Sequence, residues 1–302
     1  MPRVLFLFVD GVGLGAATPA NPLAADWPGF MHLARAQRWV ADAVSVAEPT
    51  HVFRPIDATL GMAGLPQSGT GQASLFTGVN CPALVGRHFG PFPHSATHGA
   101  LASDNVFAKV KRCTDLPAPA FLNAYPPRFF EMVRKRSRWT VTTRCCVEAD
   151  VPVRGVSDLR AGRALTADLT GRRWKPLGHD IPIINEREAG TRFVSLAQDH
   201  SLTVFEYFLT DKAGHGRLSD AAPTDIVGAL DQFLQGILEA LDPTRDLLVI
   251  TSDHGNLEDG EGTTHTRNPV PLVAYGRGAH HFTSATSLTD VTPRIVHTLT
   301  AG

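Results

Sequence analysis

Continuous apolar runs punctuate this chain, and each of the main ones stops at an aspartate. Val4–Val9 reads VLFLFV, the pattern of a strand covered on both faces in a parallel sheet, and it ends at Asp10. A second run, Leu202–Leu209 (LTVFEYFL), leads into Thr210 and Asp211, and a third, Leu247–Ile250 (LLVI), leads into Thr251, Ser252 and Asp253. Between the last two, Ile226, Leu230, Phe233, Leu234, Ile237, Leu238 and Leu241 recur at i, i+3, i+4 spacing and predict an amphipathic helix. The unit reads as a right-handed strand-helix-strand crossover. A further strand at Pro271–Tyr275 and a closing helix starting near Thr289 to Pro293 complete the alternation. The fold class that follows is α/β, with a doubly wound, mostly parallel sheet.

The pattern changes between about Asn80 and Asp180, where Pro, Arg and turn residues replace the long apolar runs. Short strand candidates such as Trp139–Thr143 and a helix candidate at Pro127–Lys135 lie there. The expected organisation is a catalytic core from 1–80 and 181–302, with 81–180 as a small inserted cap or lid.

In open α/β sheets ligands lie beyond the carboxyl ends of the strands, so Asp10, Asp211 and Asp253 are expected side by side despite their separation in sequence. Singly, each has the ordinary reading of a turn or helix cap. Imidazoles accompany them. Asp211 and His215 are four apart in TDKAGHG, a spacing that joins two ligands if the segment makes one helical turn. Asp253 and His254 are adjacent in SDHGN, and His265 follows in HTRNPVP. Three carboxylates and three imidazoles without thiolates suit Zn, Mn or Fe, and their number suits two ions.

LPQSGTGQASLFTG supplies a nucleophile candidate, Ser68. The glycines after it permit a tight turn and a close approach to ligand, and Gln72–Phe76 reads as the start of a helix, whose first amides bind anions. A metal ion is one means of activating such a serine near neutral pH. A Walker A loop is excluded because no Lys follows the glycines. A sulfatase pattern is disfavoured, since Thr70 and Gln72 stand where Pro and Arg would be required.

Composition narrows the partners. With 28 Lys+Arg against 29 Asp+Glu there is no global basic field for nucleic acid or an anionic membrane. No stretch approaches the ~18 apolar residues of a membrane span, and the N-terminal run is too short for a signal-peptide core. Cys81, Cys113, Cys145 and Cys146 lack CxxC spacing, which points to a reducing compartment and a soluble, cytoplasmic protein. The 13 histidines carry the bland reading of composition bias except where they fall in the metal strings.

Taken in order, FVDGVG, Ser68, TDKAGH, SDHGN and HTRNPVP resemble the alkaline phosphatase superfamily of two-metal enzymes. The resemblance is closest to its branch of cofactor-independent phosphoglycerate mutases and phosphopentomutases. It implies that Asp10, Ser68, Asp253 and His254 surround one metal, that Asp211, His215 and His265 hold the other, and that Ser68 carries a phosphoserine intermediate. Manganese is the metal the branch suggests, with zinc or iron as alternatives. The chain also departs from that branch. Gly69, Thr70 and Gly71 replace the Glu-Val-Gly-His that follows the mutase serine, and about 100 residues cannot contain the mutase's large inserted domain. A phosphomonoesterase acting on a small phosphorylated metabolite is the expected function. A phosphomutase is the alternative, followed by a hydrolase of phosphodiesters, phosphonates or sulfates; a silent metal-binding module is disfavoured because every ligand position is filled. Arg87, His88, Asn123, Arg128 and Asp168, with Tyr125 in the string NAYPPR, are the candidate substrate contacts.

Overall fold

The computed structural model describes residues 3–136 and 138–301. Seven strands form one sheet: β1 (Arg3–Val9), β2 (Val46–Glu48), β3 (His51–Ile56), β4 (Ala120–Phe121), β5 (Leu202–Tyr207), β6 (Asp246–Thr251) and β7 (Val270–Gly276), in the spatial order β2-β3-β7-β6-β1-β5-β4. β4, β5, β1 and β6 are mutually parallel, β7 runs against β6, and β3 and β2 alternate beyond it. Five of the seven strands thus share one direction, as the continuous apolar runs predict. The interior strands are covered on both faces. Phe6 and Phe8 of β1 pack with Phe76 on one side, while Leu5 and Leu7 meet the cluster of Phe205, Phe193 and Phe233 on the other.

The predicted crossover helix spans Pro223–Ala240 and the closing helix Val291–Thr300. The crossover helix lies against a helix at Glu186–Leu196, and the contact is made at glycine. A Cβ on Gly190 would sit 2.2 Å from the Phe233 carbonyl oxygen, so only hydrogen fits there.

Two local expectations are corrected. The second apolar run leaves the sheet at Tyr207, and Leu209–Gly214 forms a short helix that carries Asp211 and delivers His215 at its C-cap. Trp139–Thr143 is not a strand: Val141–Glu148 is a helix, and Thr140 caps it by accepting from the Thr143 amide. The hydroxyl spacing Thr140-x-x-Thr143 outweighs the β preference of these residues.

Residues 81–180, expected as an inserted cap, supply β4 at the sheet edge and bury Phe107, Phe121, Val141, Cys145 and Cys146 in the same core as Phe6 and Phe8. The Pro127–Arg136 helix is largely exposed, with Val133 its sole buried side chain among the described residues. All four cysteines are free, three of them buried. No helix among the described residues is long and apolar enough to cross a membrane.

Candidate active site

Three neighbouring strands, β6, β1 and β5, bring the three aspartates together at their carboxyl ends. Phe8 is level with Thr251 on one side and with Glu206 on the other, so Asp10 and Asp253 stand two residues beyond that level and Asp211 five, on the short helix after β5. The local backbone is held by short polar links. The Val12 amide donates to the Ser252 hydroxyl at 2.8 Å, and the Thr210 hydroxyl donates to the Asp10 carbonyl at 2.6 Å.

Asp10, Asp253 and His254 form one convergent group, all buried. His254 Nε2 lies 3.5 Å from Asp10 Oδ1 and 3.4 Å from Asp253 Oδ2, and neither of those carboxylate oxygens has a hydrogen-bond partner. Ser68 Oγ completes the group at 3.0 Å from His254 Nε2. Burial, then the charges of Asp253, Asp211 and Glu206, push the Asp10 carboxyl well above the usual range. Orphaned, buried carboxylate oxygens converging with an imidazole nitrogen and a hydroxyl are what a divalent cation would satisfy.

The second group joins Asp211, His215 and His265. His215 Nε2 and His265 Nε2 are 3.1 Å apart, and they lie 3.3 and 3.6 Å from Asp211 Oδ1. Each ring turns Nδ1 to a backbone carbonyl at 2.7 Å, Thr263 for His215 and Pro66 for His265. A carbonyl only accepts, so Nδ1 carries the proton and Nε2 is free to present a lone pair. Two such lone pairs pointed at one carboxylate oxygen suit a cation. The charge environment agrees. Burial pushes the Asp211 carboxyl up, but the His265, His254 and His215 imidazoles beside it and a hydrogen bond from Asn256 outweigh it and hold it at about 2. Burial pushes His265 down, yet its contacts with Asp211 and the Pro66 carbonyl raise it.

Ser68 is the first residue of the Ser68–Thr77 helix, whose N-cap residue Gln67 makes no side-chain cap. The Ser68 and Gly69 amides, at the helix start, have no acceptor among the described residues. The helix start reaches this position because residue 71 is glycine: a Cβ there would stand 2.8 Å from the Asp253 carbonyl oxygen.

Beside Ser68 opens a cavity of about 400 Å³. Asp10, Asp211 and Gln72 border it at the metal end, Arg128, Lys212 and Arg217 add positive charge, and Tyr125, Phe129, Phe208 and Met132 give an apolar wall. Of the expected substrate contacts, Arg128 and Tyr125 line this cavity. Asn123 is turned into the sheet, where its amide exchanges two hydrogen bonds with the Glu206 backbone at 2.7 and 2.8 Å. Asp168 accepts from Thr170 and from the Arg173 amide, away from the cavity lining. Arg87 lies over the Phe89 ring, and neither it nor His88 borders the cavity.

Two acids escaped the sequence reading. Glu206 sits in the middle of the run LTVFEYFL, and a carboxylate at a core-facing position of a buried strand is a signal in itself. Glu258 is buried and accepts from the Gly13 and Asn256 amides, both at 2.8 Å, from Asn268 Nδ2 at 3.0 Å and from the Thr266 hydroxyl. It ties the loop after β1 to the loops that carry His254 and His265. Asn256, held in this way, donates to Asp211 Oδ1 at 2.8 Å.

A model of the Metalloenzyme superfamily matches residues 182–301, a stretch that holds Asp211, His215, Asp253, His254 and His265. Curated relatives match about a third of the chain. A 2,3-bisphosphoglycerate-independent phosphoglycerate mutase of Legionella pneumophila is 33% identical over 107 residues, covering 33% of this chain and 21% of that protein. The corresponding enzyme of Desulforudis audaxviator is 33% identical over 126 residues, covering 39% and 24%. Residues 182–301 are thus similar to the Metalloenzyme superfamily. Solved structures show the fold over the whole length of the chain. PH0037 from Pyrococcus horikoshii aligns with 100% of this chain and 97% of its own, at a TM-score of 0.59 and 14% identity. Alkaline phosphatase from the Antarctic bacterium TAB5 aligns with 98% and 97%, at 0.51 and 12%. The matched segment spans only about a fifth to a quarter of the curated mutases' length.

Proposed function

We propose that the protein is a cytosolic, metal-dependent phosphomonoesterase with Ser68 as its nucleophile, acting on a small phosphorylated metabolite. The observation that carries this reading is the position of Ser68 Oγ: on the first residue of a helix, 3.0 Å from His254 Nε2, and between the carboxylate-imidazole groups and the cavity. Asp10, Asp253 and His254 with Ser68 would hold one divalent ion, and Asp211, His215 and His265 the other, manganese or zinc fitting the donors and iron also being compatible with them. When bound, the ions supply positive charge that lowers the pKa of a coordinated hydroxyl and offsets charge on the phosphoryl oxygens.

The residues of the chain account for the rest. The Ser68 and Gly69 amides offer donors to phosphoryl oxygens, as helix starts do for anions. Ser68 Oγ forms its bond to phosphorus as the ester oxygen leaves toward the cavity, and the serine proton ends on the departing alcohol. Water then cleaves phosphoserine, which returns the hydroxyl and releases inorganic phosphate. The Pro127–Arg136 helix, carrying Arg128, Phe129 and Met132 over the cavity, serves as the cap. A phosphomutase is the second reading, favoured by the identity of the curated relatives; it requires only that the alcohol stay bound and take the phosphoryl group back at another hydroxyl.

The test is turnover of p-nitrophenyl phosphate and a panel of sugar phosphates with added Mn or Zn, beside Ser68→Ala and with bound metal quantified. Expected is metal-dependent release of phosphate that Ser68→Ala abolishes while the variant still binds metal. Equal turnover by the variant would exclude the covalent route, and conversion of a sugar phosphate to its isomer without phosphate release would establish the mutase.

A further inference from the structure

The wall of the cavity does not suit a sugar acid. Tyr125 and Phe129 stack with ring centroids 4.1 Å apart and planes at 25°, and Phe208, Phe92 and Met132 continue the surface. Hydroxyls placed against such a wall lose their water without regaining hydrogen bonds, whereas a flat apolar ring gains contact. The volume, about 400 Å³, is that of a small-molecule site able to hold a ring and a phosphate together.

One acid interrupts the wall. Glu206 is buried, and its backbone is fixed on both sides by Asn123. Its Oε2 receives the Thr142 hydroxyl at 2.7 Å and, at the limit of bonding range, the Tyr125 hydroxyl at 3.5 Å. Its Oε1 has no partner among the described residues, and Glu206 borders the cavity. Burial, reinforced by Asp253, holds this carboxyl up at about 7. Arg128, Lys212 and Arg217 border the same space, and none of the three has a carboxylate within ion-pair distance among the described residues. The Lys212 ammonium lies 4.6 Å from the Phe208 ring centroid. Unpaired cations that share a cavity with aromatic rings suit a ligand with an anionic end and a flat body.

We infer that the cavity selects phosphate esters of aromatic alcohols, the ring lying against Tyr125, Phe129 and Phe208 and a hydrogen-bond donor on that ring bonding to Glu206 Oε1. The inference rests on the phosphomonoesterase reading and names its substrate class. Glu206 is then a specificity residue, since it acts on the far end of the substrate and not on phosphorus. A site built to receive a donor discriminates against the analogue that lacks it.

The experiment compares benzyl, 3-aminobenzyl and ethyl phosphate, whose alcohols leave with similar ease, using the metal-loaded enzyme and its Phe129→Ala and Glu206→Gln variants. Benzyl phosphate is expected to exceed ethyl phosphate in kcat/KM by about tenfold or more, a preference that Phe129→Ala reduces to about threefold or less. The added amine should bring a further gain that Glu206→Gln loses, because Thr142 and Tyr125 hold the amide oxygen and leave its NH2 facing the ring. Calorimetric binding of benzylphosphonate against ethylphosphonate gives the same comparison without turnover. Ser68-dependent hydrolysis with no preference for the ring overturns this inference and leaves the phosphomonoesterase standing. If no ester is hydrolysed in a Ser68-dependent manner, the phosphomonoesterase fails instead, and the phosphonate pair alone decides the cavity: equal affinity for the two overturns the aromatic selection.

Discussion

The imidazole of His254 stacks on that of His265, with ring centroids 3.7 Å apart and planes 17° from parallel. His254 faces Asp10 and Asp253, His265 faces Asp211 and His215, and His254 also lies within ligand range of Asp211 and His265, so the stacked rings join the two groups. Loss of one ring removes a ligand from one group and the packing surface of the other. Asp253→Asn should therefore deplete one ion and His265→Ala should disturb both. Elemental analysis after dialysis checks this: about two ions per chain for the wild type and fewer for each variant, the deficit larger for His265→Ala. Undiminished metal content in both variants would dismiss the ligand assignment.

Glu258 touches none of the proposed ligands' donor atoms, yet four donors from the loop after β1 and the β6–β7 connection converge on it. Glu258→Ala leaves those donors without their acceptor in a buried site, which costs about 3 kcal/mol or more. The same change frees Asn256 and with it the orientation of Asp211, so metal affinity should fall by about 10–100-fold, as for other residues that hold a metal ligand in place. Urea unfolding and metal titration of the same variant measure the two effects. A loss of stability with unchanged affinity would confine Glu258 to the scaffold.

Gly190→Ala separates fold from function. The added methyl would meet the Phe233 carbonyl oxygen and push the Glu186–Leu196 helix away from the crossover helix, on the face of the sheet remote from Ser68. Overpacking of this kind costs about 1–3 kcal/mol. The unfolding midpoint should drop while kcat on p-nitrophenyl phosphate at 20 °C stays near the wild-type value; a matched fall in kcat would show that the helix pair supports the site.

The strand-terminal aspartates were readable because a parallel strand announces itself as an unbroken apolar run, and the residue that ends it lies at the binding edge of the sheet. Asp10 and Asp253 follow this directly. Asp211 lies at the same edge on the helical turn that its spacing to His215 suggests, but that helix, Leu209–Gly214, begins inside what reads as one long apolar run. Asn123 illustrates the opposite failure: a polar residue in a turn-like string looks like a substrate contact, and only the tertiary pairing shows it spent on the Glu206 backbone. Arg128 and Tyr125 reach the cavity, whereas Arg87, His88 and Asp168 do not border it. Their difference depends on how residues 81–180 fold back onto the sheet, which no short-range spacing encodes.

Glu206 also makes stability depend on pH in a direction opposite to that of a salt-bridged acid. Asp10, Asp253, Tyr125, Thr142 and Cys146 are the polar and titratable groups around it, Arg128, Lys212 and Arg217 border the cavity it faces, and burial is the dominant influence on its proton. Its carboxyl titrates near 7 in the folded protein against an ordinary 4.5. Between those values the folded state holds a proton that the unfolded chain has released, so this group's contribution declines as pH rises through the window and is fully destabilising above it. The gap corresponds to ~3 kcal/mol. Glu206→Gln keeps an acceptor for Thr142 and removes the titration. With metal chelated, the variant should gain stability relative to wild type between pH 4.5 and pH 8, by up to ~3 kcal/mol in urea unfolding. Removing the charge also relieves Asp10, whose own carboxyl is raised in part by Glu206, and this acts in the same direction. A stability difference between the two proteins that is the same at both pH values would mean that Glu206 ionises in the folded protein as it does in the unfolded chain, and that burial does not hold its proton.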